Sequence, residues 1–217
     1  RGFTLDLRLR GEGDGSPLVQ SIDAYRTYFE QRASFWEFIA FGKRRFLCGD
    51  EETGNTFDSS IGRRITESRS SPAFVDELRS ARTRLESLSR GVWDVKHDAG
   101  GLYDLDIVAA AAGGGRAVSD PLERFAPLVA EGLVEEKEYD LLDRAHRLYY
   151  LIEHAASHHG LRYPPLPERV QFFEGYLGAL LAPLLPGDGT FSERLARTKR
   201  SVREVFDRFC ERLGERG

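Results

Sequence analysis

The apolar positions of this chain change period near Ser21. Before it they alternate: Phe3, Leu5, Leu7 and Leu9 fall on one face, and Thr4, Asp6, Arg8 and Arg10 on the other. A period of two predicts a half-buried strand over Phe3–Arg10. The run Gly11-Glu12-Gly13-Asp14-Gly15-Ser16-Pro17 ends that strand as a loop. A single strand is not stable alone. Val92–Val95 is one candidate partner within the chain, and the remaining partners are expected upstream of Arg1.

Beyond Ser21 the spacing becomes three and four, which predicts helices. Ser21 reads as the N-cap of Ile22–Gln31, and Tyr25, Tyr28, Phe29, Trp36, Ile39 and Ala40 continue the pattern until Gly49-Asp50. Gly54–Arg69 is polar and predicts no definite element. Ser71-Pro72 opens a helix with Phe74, Val75, Leu78, Ala81, Leu85 and Leu88 on its apolar face. Gly100-Gly101 breaks the chain before a helix over Leu102–Ala112, and Gly113–Gly115 predicts a loop. Further helices are expected at Pro121–Glu131, Glu135–Ala156, Pro167–Leu181 and Ser192–Leu213. The longer two carry stripes at Leu141, Ala145, Leu148, Ile152 and Ala155, and at Leu195, Val202, Phe206, Phe209 and Leu213. The expected architecture is mainly α, with a boundary near residues 113–120.

Composition narrows the class. The chain has 217 residues, 41% hydrophobic and 30% charged, which suits a globular protein with a sizeable core. A net charge of −4 gives no reason to expect a nucleic-acid partner. No apolar run approaches the ~18 residues of a membrane span, so a cytoplasmic location is expected. Cys48 and Cys210 are too few for a disulfide framework and read as structural thiols. The chain has no methionine and begins at Arg1, so a piece of a larger protein is expected.

Three groups of residues could carry chemistry. Asp6, Arg8 and Arg10 share one strand face at steps of about 7 Å, where a carboxylate could hold Mg²⁺ and guanidiniums could pair with phosphate. The competing reading is a solvated face with cross-strand ion pairs. Lys96, Gly100, Gly101, Asp104 and Asp106 form the second group, in which a Gly-Gly turn could offer backbone N–H groups to an anion. Asp104 and Asp106 would diverge by about 200° on a helix and could not serve one site. A plain loop and acidic first turn explains them equally well. The third is His154 and His158, four apart on a helix but without the intervening glutamate of a metalloprotease, so a helix-end role is the default. Trp36 reads as a core anchor and Lys43–Arg45 as a solvated face.

Taken together, the segments resemble the glutamine synthetase adenylyltransferase family, large bacterial enzymes that attach and remove AMP on a tyrosine of glutamine synthetase. The first block is Asp6-Leu7-Arg8-Leu9-Arg10, then Leu18-Val19 and Ser21 after a glycine-rich loop. The second is Trp36-Glu37, Ala40, Lys43, Arg45 and Gly49-Asp50. The third is Asp94-Val95-Lys96, Gly100-Gly101 and Asp104-Leu105-Asp106. A fainter echo runs through Ala145, Leu148, Ile152-Glu153-His154 and Leu166-Pro167.

The resemblance implies a remnant of a nucleotidyltransferase α/β domain with its associated helices over residues 1–115, then a helical bundle over 116–217. It implies Asp6 as the third metal carboxylate of a catalytic centre using Mg²⁺ and ATP. Arg8, Arg10, Lys96, Asp104 and Asp106 are then expected near the nucleotide. The implied partners are glutamine synthetase as protein substrate and a nitrogen regulatory protein. The family's Gly-Ser-Asp-x-Asp motif occurs nowhere in the chain, Gly11 stands for its proline, Asp106 for its glutamate, and Ile107 for an aromatic. The isolated chain is therefore expected to be inactive. A degenerate half acting as an interaction module is the alternative.

Overall fold

The computed structural model describes residues 15–17, 19–41, 48–69, 71–111, 124–158 and 170–216. The expected strand with Asp6, Arg8 and Arg10, the Lys43–Arg45 run, the Trp36 side chain and Gly113–Gly115 lie outside them. Within the described residues the fold is mainly α, with no strand. The helices are α1 (Ile22–Gln31), α2 (Phe35–Phe41), α3 (Glu51–Arg69), α4 (Pro72–Glu86), α5 (Leu102–Ala111), α6 (Ala126–Ala130), α7 (Glu136–His158), α8 (Val170–Leu180) and α9 (Phe191–Gly214). None is long and apolar enough to cross a membrane.

Local sequence explains where several helices begin. The Ser21 hydroxyl accepts from the Ala24 N–H at 3.1 Å, starting α1 as expected. Asp50 does the same for α3, accepting from the Thr53 N–H at 2.7 Å. Gly54–Arg69, for which the sequence predicts no definite element, is therefore helical. A polar helix interrupted by Gly54 has a weak periodic signal, and its few inward positions, Ile61, Gly62 and Ile65, suffice to anchor it. Thr190 opens α9 with a reciprocal capping box: its hydroxyl accepts from the Glu193 N–H, and the Glu193 carboxylate accepts from the Thr190 N–H.

Val92–Val95 is a turn and not a strand. Trp93 and Val95 point into the core, and Trp93 stacks on Phe191 at 5.4 Å between ring centroids. Alternate inward positions in a tight turn imitate strand periodicity. Leu88, expected on the α4 stripe, lies past the helix end and is 57% exposed.

The helices bury two apolar clusters. The smaller joins Tyr28, Phe29, Phe38, Ile61 and Ile65 from α1, α2 and α3. Its rings meet edge-on, with Phe29 and Phe41 at 4.6 Å and Tyr25 and Phe57 at 5.2 Å. The larger runs from Phe74 to Leu213 and draws residues from both sides of 113–120. Helix α5 is its axis, with Leu102, Leu105, Ile107, Val108, Ala110 and Ala111 all buried. A helix that is apolar all round belongs inside, and α2, α4, α7 and α9 pack about it. On α7 the fully buried positions are Leu142, Ala145, Leu148, Tyr149, Ile152 and Ala156, with Leu141 and Ala155 at the margin of the stripe.

The start of α7 is tied to the end of α9 by charge. Buried Glu138 accepts from Arg208 at 2.7 Å, from Arg212 at 2.6 Å and from the Glu135 N–H at 2.8 Å. Burial alone would raise the Glu138 carboxyl, but these donors and the Arg212 charge outweigh it and hold it below the usual range.

Truncating Phe206→Ala should cost about 3–5 kcal/mol in urea unfolding, because the ring is enclosed on all sides. Leu151→Ala, at an exposed site, should cost under about 0.5 kcal/mol. Glu138 has a depressed folded pKa, so its stabilisation is complete above the ordinary value of 4.5 and is lost as pH falls through the folded value. The stability gap between wild type and Glu138→Gln should therefore be widest at neutral pH and narrow in acid.

Candidate functional site

The third motif block forms a compact loop, residues 89–101, between α4 and α5. It is held from beneath by cations. Arg82 of α4 is fully buried; its Nε donates to Asp104 Oδ2 at 2.7 Å, and its Nη2 to the carbonyls of His97 (2.9 Å) and Asp98 (2.7 Å). Lys199 of α9 is 2% exposed and donates to the Val92 carbonyl at 2.9 Å, the Asp94 carbonyl at 3.3 Å and the Asp98 carboxylate. Arg203, one turn on, reaches Asp104 Oδ1 at 3.1 Å and Glu86 at 3.3 Å. Four loop carbonyls thus turn inward onto two buried cations.

Electrostatics follows from this enclosure. Burial pushes the Asp104 carboxyl up, against the pull of the Arg82 and Arg203 charges and of hydrogen bonds from Arg82 and the Gly100 N–H. Burial pushes the Lys199 ammonium down, against its hydrogen bond and attraction to Asp98. Asp94 braces the loop from within, accepting from the N–H groups of Lys96 (3.2 Å) and His97 (2.9 Å) and from the His97 ring. Burial would raise the Asp94 carboxyl, yet those donors hold it low.

The backbone N–H groups expected to take an anion are already engaged. The Gly100 N–H donates to Asp104 Oδ2 at 2.7 Å, and the Gly101 N–H to the Asp98 carbonyl at 2.9 Å. Those of Leu102 and Tyr103 donate to the carbonyls of Val95 and Lys96. The α5 N-terminus is closed by its own loop. The two glycines serve close packing: Gly100 has φ +73°, and a Cβ there would lie 1.8 Å from the Lys199 carbonyl oxygen. A Cβ at Gly101 would lie 2.6 Å from the Val95 carbonyl oxygen.

The three described candidates separate into two places. Asp104 faces inward and holds the loop together. Asp106 lies on the other side of α5, as helical geometry requires, with one oxygen 3.9 Å from Arg124 Nη1. Lys96 is exposed, with its ammonium 5.7 Å from the centre of the Tyr103 ring. Lys96 with Tyr103 and Asp106 with Arg124 are thus two separate contacts, and the second pair is largely buried. Sequence reasoning missed Arg82, Lys199, Arg203 and Arg124. A usable signal existed for Lys199, which occupies a core position between Leu195 and Val202 in the α9 stripe. A charge at such a place must find partners.

Arg82→Met should destabilise the chain by about 3–5 kcal/mol in denaturant unfolding, because Asp104 would lose its nearest counter-charge. Adding Asp104→Leu to that variant should recover part of the loss. A double variant less stable than the single one would contradict the assigned pairing.

The comparisons agree with the motif blocks. The family model described as Glutamate-ammonia ligase adenylyltransferase matches residues 2–60. A protein of Cutibacterium acnes, named bifunctional glutamine synthetase adenylyltransferase/adenylyl-removing enzyme, is 32% identical over 220 residues, covering 94% of this chain and 20% of its own length. Its namesake in Mesorhizobium japonicum is 29% identical and covers 94% of this chain and 21% of itself. That of Chromobacterium violaceum is 30% identical over 163 residues, 71% of this chain and 18% of itself. The chain thus spans about a fifth of the length of these curated relatives. No solved structure matches. On the motif blocks, the matched region and these relatives, the chain belongs to the glutamate-ammonia ligase adenylyltransferase family.

Proposed function

We propose that this chain is part of a nucleotidyltransferase that transfers AMP from ATP to a tyrosine of glutamine synthetase. The observation that carries the reading is the family match over residues 2–60, which contains the Asp6-Leu7-Arg8-Leu9-Arg10 segment. In the reaction, a phenol oxygen bonds to the α-phosphorus, the bond to the bridging oxygen breaks, pyrophosphate leaves and the phenol proton passes to a base. Asp6 is the metal carboxylate of this reading, and Arg8 and Arg10 pair with phosphate oxygens. Mg²⁺ would be held at Asp6, outside the described residues. Among the described residues no three His, Cys, Asp or Glu side chains group to hold a cation, so no step is assigned to the metal there. Lys96 and Asp106 face the nucleotide, and Asp104 acts from beneath by holding their loop.

A second reading has one observation in its favour. The chain contains no Gly-Ser-Asp-x-Asp sequence, so it holds one of the three carboxylates of the family's centre. The alternative is an interaction module that binds glutamine synthetase or a nitrogen-signalling regulator without catalysis.

The test is AMP incorporation into glutamine synthetase from labelled ATP. The 217 residues alone should transfer nothing. A longer protein carrying them should transfer AMP, and Asp6→Asn within it should abolish transfer without changing its melting temperature. Near-normal turnover by that variant would remove Asp6 from the reaction. Binding of glutamine synthetase without any transfer would favour the module.

A further inference from the structure

An open groove of about 1110 Å³ runs along α4, where the two apolar clusters meet. Its floor joins Phe38 of the smaller cluster to Phe74 of the larger, with Ala81 and Leu85 of α4 beside them. At its far end Leu88 is 57% exposed, an apolar side chain that the chain's own packing leaves in water. The groove is larger than the ~300–1,000 Å³ of a small-molecule site and open along its length, which suits a secondary-structure element of another chain.

Three exposed charges stand along the α4 wall. Asp76 and Glu77 lie near the start of the helix and Arg84 near its end. Among the described residues their side chains make no ion pair. Acid at the start and base at the end also suit the dipole of α4 itself, but that effect leaves the charges unpaired. On the opposite wall Arg64 and Glu67 face each other at 3.8 Å, so together they add no net charge. Helical rise sets Glu77 and Arg84 about 11 Å apart along the axis, or two turns. The groove therefore offers an apolar floor between an acidic end and a basic end.

We propose that this groove docks an amphipathic helix of a partner protein, antiparallel to α4, with an acidic residue at Arg84 and a basic residue two turns later at Asp76 and Glu77. A helix favours acid in its first turn and base in its last. Laid antiparallel to α4, such a helix brings its first turn to Arg84 and its last to Asp76 and Glu77, so its own charge gradient complements that of the groove. Its apolar face covers Phe38 and Phe74, and the turn before its acid covers Leu88. A second copy of this chain is a poorer match. The exposed apolar stripe of α8, Phe172, Tyr176 and Leu180, would leave the groove charges unmet, because the one charge on α8, Glu174, already accepts from Ser192.

The test is fluorescence anisotropy of a labelled helical peptide of about 18 residues titrated with the 217-residue chain. The peptide carries leucines on one face, one glutamate, and one lysine two turns after it; a second peptide has the two charges exchanged. The wild-type chain should bind the first peptide about fivefold more tightly than the second. Leu88→Ser should weaken both by about tenfold. Glu77→Lys combined with Arg84→Glu should reverse the preference between the peptides. These three positions are exposed, so the variants should melt at the wild-type temperature. Failure of the wild-type chain to bind the first peptide would overturn the proposal, and so would an unchanged affinity in Leu88→Ser. Equal affinity for the two peptides would overturn the charge match that fixes the partner and its direction. Self-association of the chain in sedimentation that Leu88→Ser abolishes would put a second copy in the groove and overturn the partner helix.

Discussion

The structure turns on one enclosed carboxylate. Asp104, with no exposed surface, stands at the start of α5 and receives Arg82 from α4, Arg203 from α9 and the Gly100 N–H. A charge removed from water must be matched by partners in fixed positions. That requirement sets where α4 and α9 lie against α5, and it closes the loop between them. Apolar packing is forgiving about register, but a three-way match of this kind is not. Replacing it with apolar residues of similar size could leave the fold as stable. What the ionic arrangement adds is geometry, namely a loop whose carbonyls point inward and whose Lys96 side chain points out.

Lys199 extends the same logic from the other end of the chain. It reaches across about a hundred positions of sequence to the Val92 and Asp94 carbonyls and the Asp98 carboxylate. An ammonium has three donors and no acceptor, so three acceptors meet its needs. The backbone of Lys199 also lies against Gly100, which is why that position has no room for a side chain. The motif block in the first half and the last helix are thus one structural unit.

The division of labour across α5 explains why Asp104 and Asp106 can be near neighbours with different surroundings. One faces the buried cations and the other faces Arg124. The first position binds α4 and α9 to α5, and the second lies 3.9 Å from the Arg124 guanidinium. The larger core continues under both, from Phe74 to Leu213.

Sequence by itself determined the helices with strong periods and caps. Ser21 opens α1, Pro72 opens α4, and the α9 stripe of Leu195, Val202, Phe206, Phe209 and Leu213 is buried as its spacing demands. These are local properties, legible because a cap or an apolar face needs only neighbours within a few residues. The motif blocks likewise identified the family. What the sequence missed were α3, whose polar face hid its few anchors, and the turn at Val92–Val95, whose inward residues copied a strand. Asp6, Arg8 and Arg10 lie outside the described residues and stand on the resemblance. Tertiary structure alone decided that the Gly-Gly N–H groups are engaged, that Arg82, Lys199 and Arg203 hold the loop, and that Asp106 faces Arg124 and not the buried cations. Those outcomes depend on which distant helix supplies the partner of each buried charge, and pairing across many residues leaves no local period to read.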